Sequence, residues 1–286
     1  MSFIDNIKLR FNTASIVEKL IYINVAVFLL VFVFNTGGFL FQSSNNFIIE
    51  WFALPSNFDE FLYKPWTLLT YGFLHASFLH ILMNLIALYY IGNLFMQYFT
   101  PKSLISFYIL GTLFGGIVFI ISYNYFPGLV KDADNSILIG ASAGISAIFI
   151  GIATYMPNYQ LKFPLIGFVK LWHLALIWVA LDVLQIPTGN AGGRLAHIGG
   201  ALFGFLYVNQ VSNKEIAIFK GIKNLFTKKE KPLKTAYKSG NKKVKKQVIK
   251  PQTQEEIDKI LDKIGKSGYD TLTKSEKEFL FKQGKK

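Results

Sequence analysis

The chain contains no cysteine. This excludes disulfides, thiolate zinc sites and a cysteine nucleophile. Histidine is scarce as well: His75, His80, His173 and His197 are the full set. There is no H-E-x-x-H and no carboxylate near those histidines in sequence, so neither a metal nor a cofactor is expected. Charge is thin over most of the length. Of the 30 Lys/Arg and 17 Asp/Glu, only nine and eight lie in residues 1–212. The remaining 21 lysines and nine acids lie in 213–286, so nearly all of the +13 net charge belongs to a tail. No A-x-A-like cleavage site follows the first apolar run, about 16–34, although Lys8, Arg10 and Lys19 flank it as they would a signal peptide. The run is therefore read as a retained membrane span. No internal repeats are visible.

What is present is apolar. Of the 286 residues, 52% are hydrophobic and 28 are Phe, too many for an ordinary soluble domain. A spanning helix needs about 20 mostly apolar residues. Six segments qualify as candidates: about 16–36, 76–98, 103–123, 141–157, 170–187 and 194–211. The long connection 37–75 carries "EWFALPSNFDEFLYKPW", whose Trp and Tyr favour headgroup depth. Placing residues 1–15 inside puts Lys8, Arg10, Lys19, Lys102, Lys162, Lys170 and the lysine tail on one side. Only Lys64, Lys131 and Arg194 fall on the other. The positive-inside rule then makes both termini cytoplasmic.

The tail reads in two parts. Residues 213–252 are a basic linker suited to lie near an anionic lipid surface. Aromatic interleaving is sparse there and no nucleic-acid motif occurs, so no nucleic-acid partner is expected. Residues 253–286 read as a small helical hairpin. Thr253-x-x-Glu256 and Thr273-x-x-Glu276 are capping boxes, and Ile257, Ile260, Leu261 and Ile264 recur at helical spacing. Gly265 and Gly268 are expected to end the first helix.

Polar residues within spans are costly and become informative when they converge. His80 and Asn84 are one helical turn apart and share a face near the outer end of the second span. Ser142 opens the fourth span and His197 lies near the start of the sixth, again at the outer end. Four polar side chains from three spans therefore share one membrane level. His173 starts the fifth span on the cytoplasmic side and is set aside as interfacial. The fourth span has about 16 residues between Gly140 and Pro157, or about 24 Å at 1.5 Å per residue, against about 30 Å of hydrocarbon. Its start is sunken, and the loop above it must line a water-filled cavity. Ser142 would have unpaired backbone N–H groups and a positive helix end beside it, which suits an oxyanion site.

Gly140-Ala141-Ser142-Ala143-Gly144 also matches the G-x-S-x-G of soluble hydrolases, and Ser142, Asp182, His197 follow their chain order. That elbow needs a parallel sheet, and only 55 residues, mostly two apolar helices, separate Ser142 from His197. Asp182 is read mainly as a polar contact or cavity residue, with a third catalytic member as the lesser reading.

These residues together resemble the rhomboid intramembrane serine proteases. The matching pieces are His80-x-x-x-Asn84, Gly140-Ala141-Ser142-Ala143 and Ala196-His197-x-x-Gly200-x-x-x-Gly204, with "PWTLLTYGFLHASFLHILMN" at the entry to the second span. The resemblance covers about residues 15–212, and the C-terminal hairpin is similar to an extension on some bacterial members. It implies an all-α, six-helix membrane bundle (16–212) with Ser142 as nucleophile and His197 as general base and acid, a dyad without an obligatory aspartate. His80, Asn84 and the Ser142 backbone N–H would hold the oxyanion. Gly140, Gly200 and Gly204 would serve close helix packing. It further implies cleavage of single-span membrane proteins near the outer face of a bacterial inner membrane. Two departures stand out: Ala143 follows the nucleophile where many members have glycine, and Ser146 stands where many carry an aromatic against the catalytic histidine. A non-catalytic relative that binds membrane-protein helices is the alternative. A transporter is disfavoured because the polar groups lie at one depth.

Overall fold

The computed structural model describes residues 2–42, 46–164, 166–211 and 251–284. They fall into two compact units, 1–228 and 229–286, each described by itself. The first unit begins with α1 (Phe3–Thr13) and α2 (Ile16–Leu40). Ser15 starts α2 through a capping box. Its Oγ accepts the Glu18 N–H at 3.2 Å, and the Glu18 carboxylate accepts the Ser15 N–H at 2.6 Å. The long connection that follows is built of short pieces: α3 (Phe47–Phe52), strand β1 (Leu54–Pro55), α4 (Phe58–Tyr63), α5 (Thr67–Thr70) and a 3₁₀ turn, Tyr71–Phe73. Trp51 and Trp66 stack in parallel, ring centroids 6.2 Å apart, and the Trp66 indole donates to the Trp51 carbonyl at 2.8 Å.

Helix α6 (Phe78–Met96) is capped by Ser77. Helix α7 (Pro101–Tyr125) is capped by Thr100, with Pro101 where its missing N–H costs nothing. A short α8 (Pro127–Val130) leads to β2 (Ile137–Leu138). The "SILIG" stretch is thus partly extended, but β2 pairs antiparallel with β1, Leu54 opposite Leu138. It is a two-residue clasp between distant loops, not the parallel strand of a hydrolase elbow. Ser56 adds to the clasp by donating to the carbonyls of Ala133 and Ser136 at 2.6 and 2.7 Å.

Helix α9 (Ser142–Tyr155) has 14 residues, about 21 Å, shorter still than the sequence suggested. Every residue from Ala143 to Ala153 is buried. After it come a hairpin of β3 (Gln160–Phe163) and β4 (Gly167–Lys170), then α10 (Leu171–Gln185) and α11 (Ala191–Val211). The unit is mostly helical, with two small two-stranded sheets added to the expected all-α class. Helix α11 starts three residues before the apolar segment at 194. Asn190, at φ 52°, caps it through its side-chain oxygen, which accepts the Gly193 N–H at 3.2 Å.

All six expected spans are helical. Among the described residues, four helices are long and apolar enough to cross a membrane: α2, α6, α7 and α10 with its 3₁₀ extension to Thr188. The other two carry Ser142 and His197. Helix α9 is short, and α11 is diluted by Arg194, His197, Asn209 and Gln210. They pack against each other and against α7 at the centre of the unit.

Glycine makes this centre possible. A methyl on Gly200 would overlap the Ala143 carbonyl, and one on Gly204 would overlap the Ala147 carbonyl. Gly111 and Gly115 of α7 lie against the side-chain methyls of Ala147 and Ala143, where a further methyl would also overlap. Gly140 differs from the packing role expected of it. It lies outside any helix, in a turn at φ 134° that side chains rarely adopt.

In the second unit, α12 (Pro251–Ser267) begins two residues before Thr253, which therefore lies inside the helix and is not its cap. The helix also runs through Gly265; Gly268, at φ 82°, ends it. The second capping box forms as read. The Glu276 carboxylate accepts the Thr273 N–H at 2.7 Å at the start of α13 (Lys274–Gly284), and Lys263 of α12 donates to it at 2.9 Å. The basic linker, apart from its last two residues, lies outside the described residues.

Two predictions follow from the packing and the cap. Gly204→Ala should lower thermal stability by about 1–3 kcal/mol through overpacking, read as a drop in the detergent-solubilised melting midpoint. The Glu276 carboxyl is held down to about 2, first by the Thr273 N–H and next by Lys263, from an ordinary 4.5. Its stabilisation of the hairpin is therefore complete above pH 4.5 and is lost as pH falls through about 2. Carboxyl ¹³C titration of Glu276 should show a midpoint near 2; an ordinary glutamate midpoint would refute the contact.

Candidate active site

Ser142 and His197 meet. The Ser142 Oγ lies 2.6 Å from His197 Nε2, a direct hydrogen bond between the first residue of α9 and the first third of α11. The close α9–α11 approach at Gly200, three residues beyond His197, sets this distance. Ala141 offers no side-chain cap to α9. The first helical bond is the Ile145 N–H to the Ala141 carbonyl at 3.1 Å, so the N–H groups of Ser142, Ala143 and Gly144 precede any helical acceptor.

Both residues line a cavity of about 510 Å³. His80 and Asn84 of α6 line it too, with Trp178 of α10 and Arg194 of α11. His80 Nδ1 accepts the Ala76 N–H at 3.5 Å, a long bond. With Nδ1 as acceptor, the ring proton sits on Nε2, the atom that faces Gly140: a methyl there would come within 3.0 Å of it. Gly140 thus clears space between His80 and Ser142, whose Oγ would lie 3.5 Å from the same methyl. The Asn84 amide donates one N–H to the His80 carbonyl, one turn back, at 3.0 Å. Its second N–H is left for the cavity.

The remaining residues take other places. Ser146, on the same helix as Ser142, is fully buried and accepts the Trp178 indole N–H at 3.1 Å. An aromatic residue does reach the site, from α10 instead of from position 146. His173 is exposed and sits against Trp172, ring centroids 3.8 Å apart, away from the cavity residues. His75 is buried with its ring edge against His80, 5.0 Å between centroids.

Asp182 is closer to the chemistry than sequence reading gave it. Its Oδ1 lies 3.0 Å from His197 Nδ1 and accepts the Arg194 Nη1–H at 3.0 Å. A second Arg194 N–H goes to Gln185. Arg194 and Trp178 were not anticipated. The available signal was the Ser–Asp–His order together with a lone acid in an uncharged apolar segment.

The helical bundle and its four spanning helices define a polytopic membrane protein with a serine–histidine pair opening on an internal cavity. The Rhomboid domain model matches residues 63–214, over half of the chain, and the chain belongs to the Rhomboid family. Residues 245–286 match a family of unknown function, DUF6576. RHOMBOID-like protein 12, mitochondrial, of Arabidopsis thaliana is 28% identical over 195 residues, 65% of this chain and 55% of its own length. Rhomboid protease GlpG of Yersinia pseudotuberculosis is 26% identical over 169 residues, 56% of this chain and 52% of its own. The chain thus spans about half the length of these relatives.

A hydrogen bond to an imidazole makes Ser142 the more reactive of the two serines of α9. A fluorophosphonate probe should label Ser142 and leave Ser146 unmodified, and His197→Ala should cut the labelling rate by about 10²-fold or more. Mass spectrometry of the adduct reads both outcomes.

Proposed function

We propose that the chain is an intramembrane serine endopeptidase. The observation that carries this reading is the 2.6 Å Ser142–His197 bond at the mouth of a short helix, inside a cavity between apolar helices. A peptide carbonyl entering the cavity is attacked by Ser142 Oγ while His197 Nε2 takes the hydroxyl proton. The resulting oxyanion is held by His80 Nε2–H, the second Asn84 N–H and the Ser142 backbone N–H, at the positive end of α9. Collapse expels the amine, which receives the proton from His197. Water then enters, gives a proton to His197 and hydrolyses the acyl-enzyme, restoring Ser142.

The cavity's depth selects the substrate. A single-span helix must expose a peptide bond to a site below the membrane surface, so local unwinding at helix-weakening residues is required. With both termini cytoplasmic, by lysine and arginine placement, the cut falls near the outer face of the cell membrane. The lysine-rich tail lies against the anionic inner leaflet.

In proteoliposomes with a transmembrane reporter, Ser142→Ala and His197→Ala should abolish cleavage without loss of fold. Asn84→Ala and His80→Ala should each lower kcat by about 10²- to 10³-fold, the scale of a lost oxyanion donor. Turnover by Ser142→Ala at the wild-type rate would sink the assignment, and an inert wild type that still binds the reporter would favour a helix-binding relative.

A further inference from the structure

Helix α10 is apolar, yet it turns half of its apolar residues outward. Leu176, Ile177, Leu181, Val183 and Leu184 are all exposed. Only two of its 15 residues are buried, Leu171 at its start and Asp182 near its end. A carboxylate 4% exposed on such a helix carries a desolvation cost of several kcal/mol unless its partners are well placed. Those partners are Arg194 and His197, both on α11 and both at 3.0 Å from the same oxygen, Oδ1. A pairing made only to dock α10 on α11 would need Arg194 alone. The structure adds the catalytic histidine to it.

We propose that Asp182 is a positioning residue for His197, with Arg194 as its fixed counter-charge, so that the Ser142–His197 pair works as a triad. The proposal rests on the protease reading above. A carboxylate accepts but does not donate, so the bond at Nδ1 places the ring proton there. Nε2 is then the bare nitrogen, facing Ser142 Oγ as a proton acceptor requires. When the Ser142 proton moves to Nε2, the ring becomes an imidazolium beside an anion already in place. Asp182 takes no proton at any step. The proton passes from Ser142 to His197 and on to the leaving amine, and the carboxylate only holds ring and tautomer. Arg194 keeps the carboxylate oriented through its own bonds to Asp182 and Gln185.

The test uses the full chain in detergent or proteoliposomes, with Asp182→Asn, Arg194→Gln and the double variant. Three quantities are read: kcat and KM on the reporter, the melting midpoint, and the low-field Nδ1–H resonance of ¹⁵N-labelled His197. Asp182→Asn should lower kcat by about 10²-fold or more with KM within about 3-fold, and should abolish the low-field resonance. Arg194→Gln leaves the buried Asp182 carboxylate without its counter-charge, so this variant should melt earlier than Asp182→Asn, which leaves a partly exposed guanidinium still bonded to Gln185. The double variant should recover the wild-type midpoint but not kcat. Recovery of both would make the pair purely structural and overturn the proposal. So would a wild type lacking the low-field resonance, or Asp182→Asn retaining kcat within about 3-fold. Loss of Ser142 dependence would instead overturn the protease reading itself.

Discussion

The contact between Gly200 and the Ala143 carbonyl is the constraint from which the site follows. His197 and Ser142 come within 2.6 Å where the backbones of their helices nearly touch, and a methyl at Gly200 would overlap the Ala143 carbonyl. Without a strong hydrophobic drive between helices in lipid, such contacts rest on van der Waals fit, which small residues permit. Gly204 repeats the contact one turn deeper, and Gly111 and Gly115 bring α7 equally close to α9, with Gly115 also reaching the Ala196 carbonyl of α11. The Ser142–His197 pair is thus an outcome of backbone packing, and the remaining polar residues are arranged around it.

That packing also explains why the two helices bearing Ser142 and His197 are the least like ordinary spans. Helix α9 is too short to cross the hydrocarbon alone, and α11 is too polar to face it comfortably. Helix α9 is sheltered by its neighbours, whereas α11 buries one face and leaves Leu202, Phe205 and Leu206 exposed on the other. Division of labour between sheltering and reactive helices lets a charged and hydrogen-bonded site exist at membrane depth, where an exposed polar group would be costly.

Much of this was legible in the sequence, and the exceptions have physical reasons. The histidine–asparagine turn, the serine at a short helix and the glycine ladder after His197 are local patterns, and each has a local consequence. What could not be read locally was the third dimension of α10. Its mean character is apolar, so Asp182 looked like a tolerated polar residue, while its face toward α11 holds the one buried acid of the helix. Trp178 was hidden for the same reason: its indole reaches Ser146, 32 residues away, across an interface that periodicity does not define. The β1–β2 clasp joins residues more than 80 apart through two residues per strand, too short for an alternation signal. Gly140 was misread because a glycine before a helix can serve packing or turning, and only its φ separates the two.

The shortness of α9 has a consequence for the bilayer. A helix of about 21 Å in a hydrocarbon layer of about 30 Å carries a mismatch of about 9 Å. A lone span would oblige the surrounding lipid to thin or the helix to recruit partners. Here Ala143 to Ala153 are enclosed by protein, so no lipid touches the deficit. At the start of α9, Ser142 lines the cavity of about 510 Å³ shared with His80, Asn84, Trp178, Arg194 and His197. For the proposed hydrolase, which needs water as a reactant, the room for it comes from leaving one helix short beside longer ones.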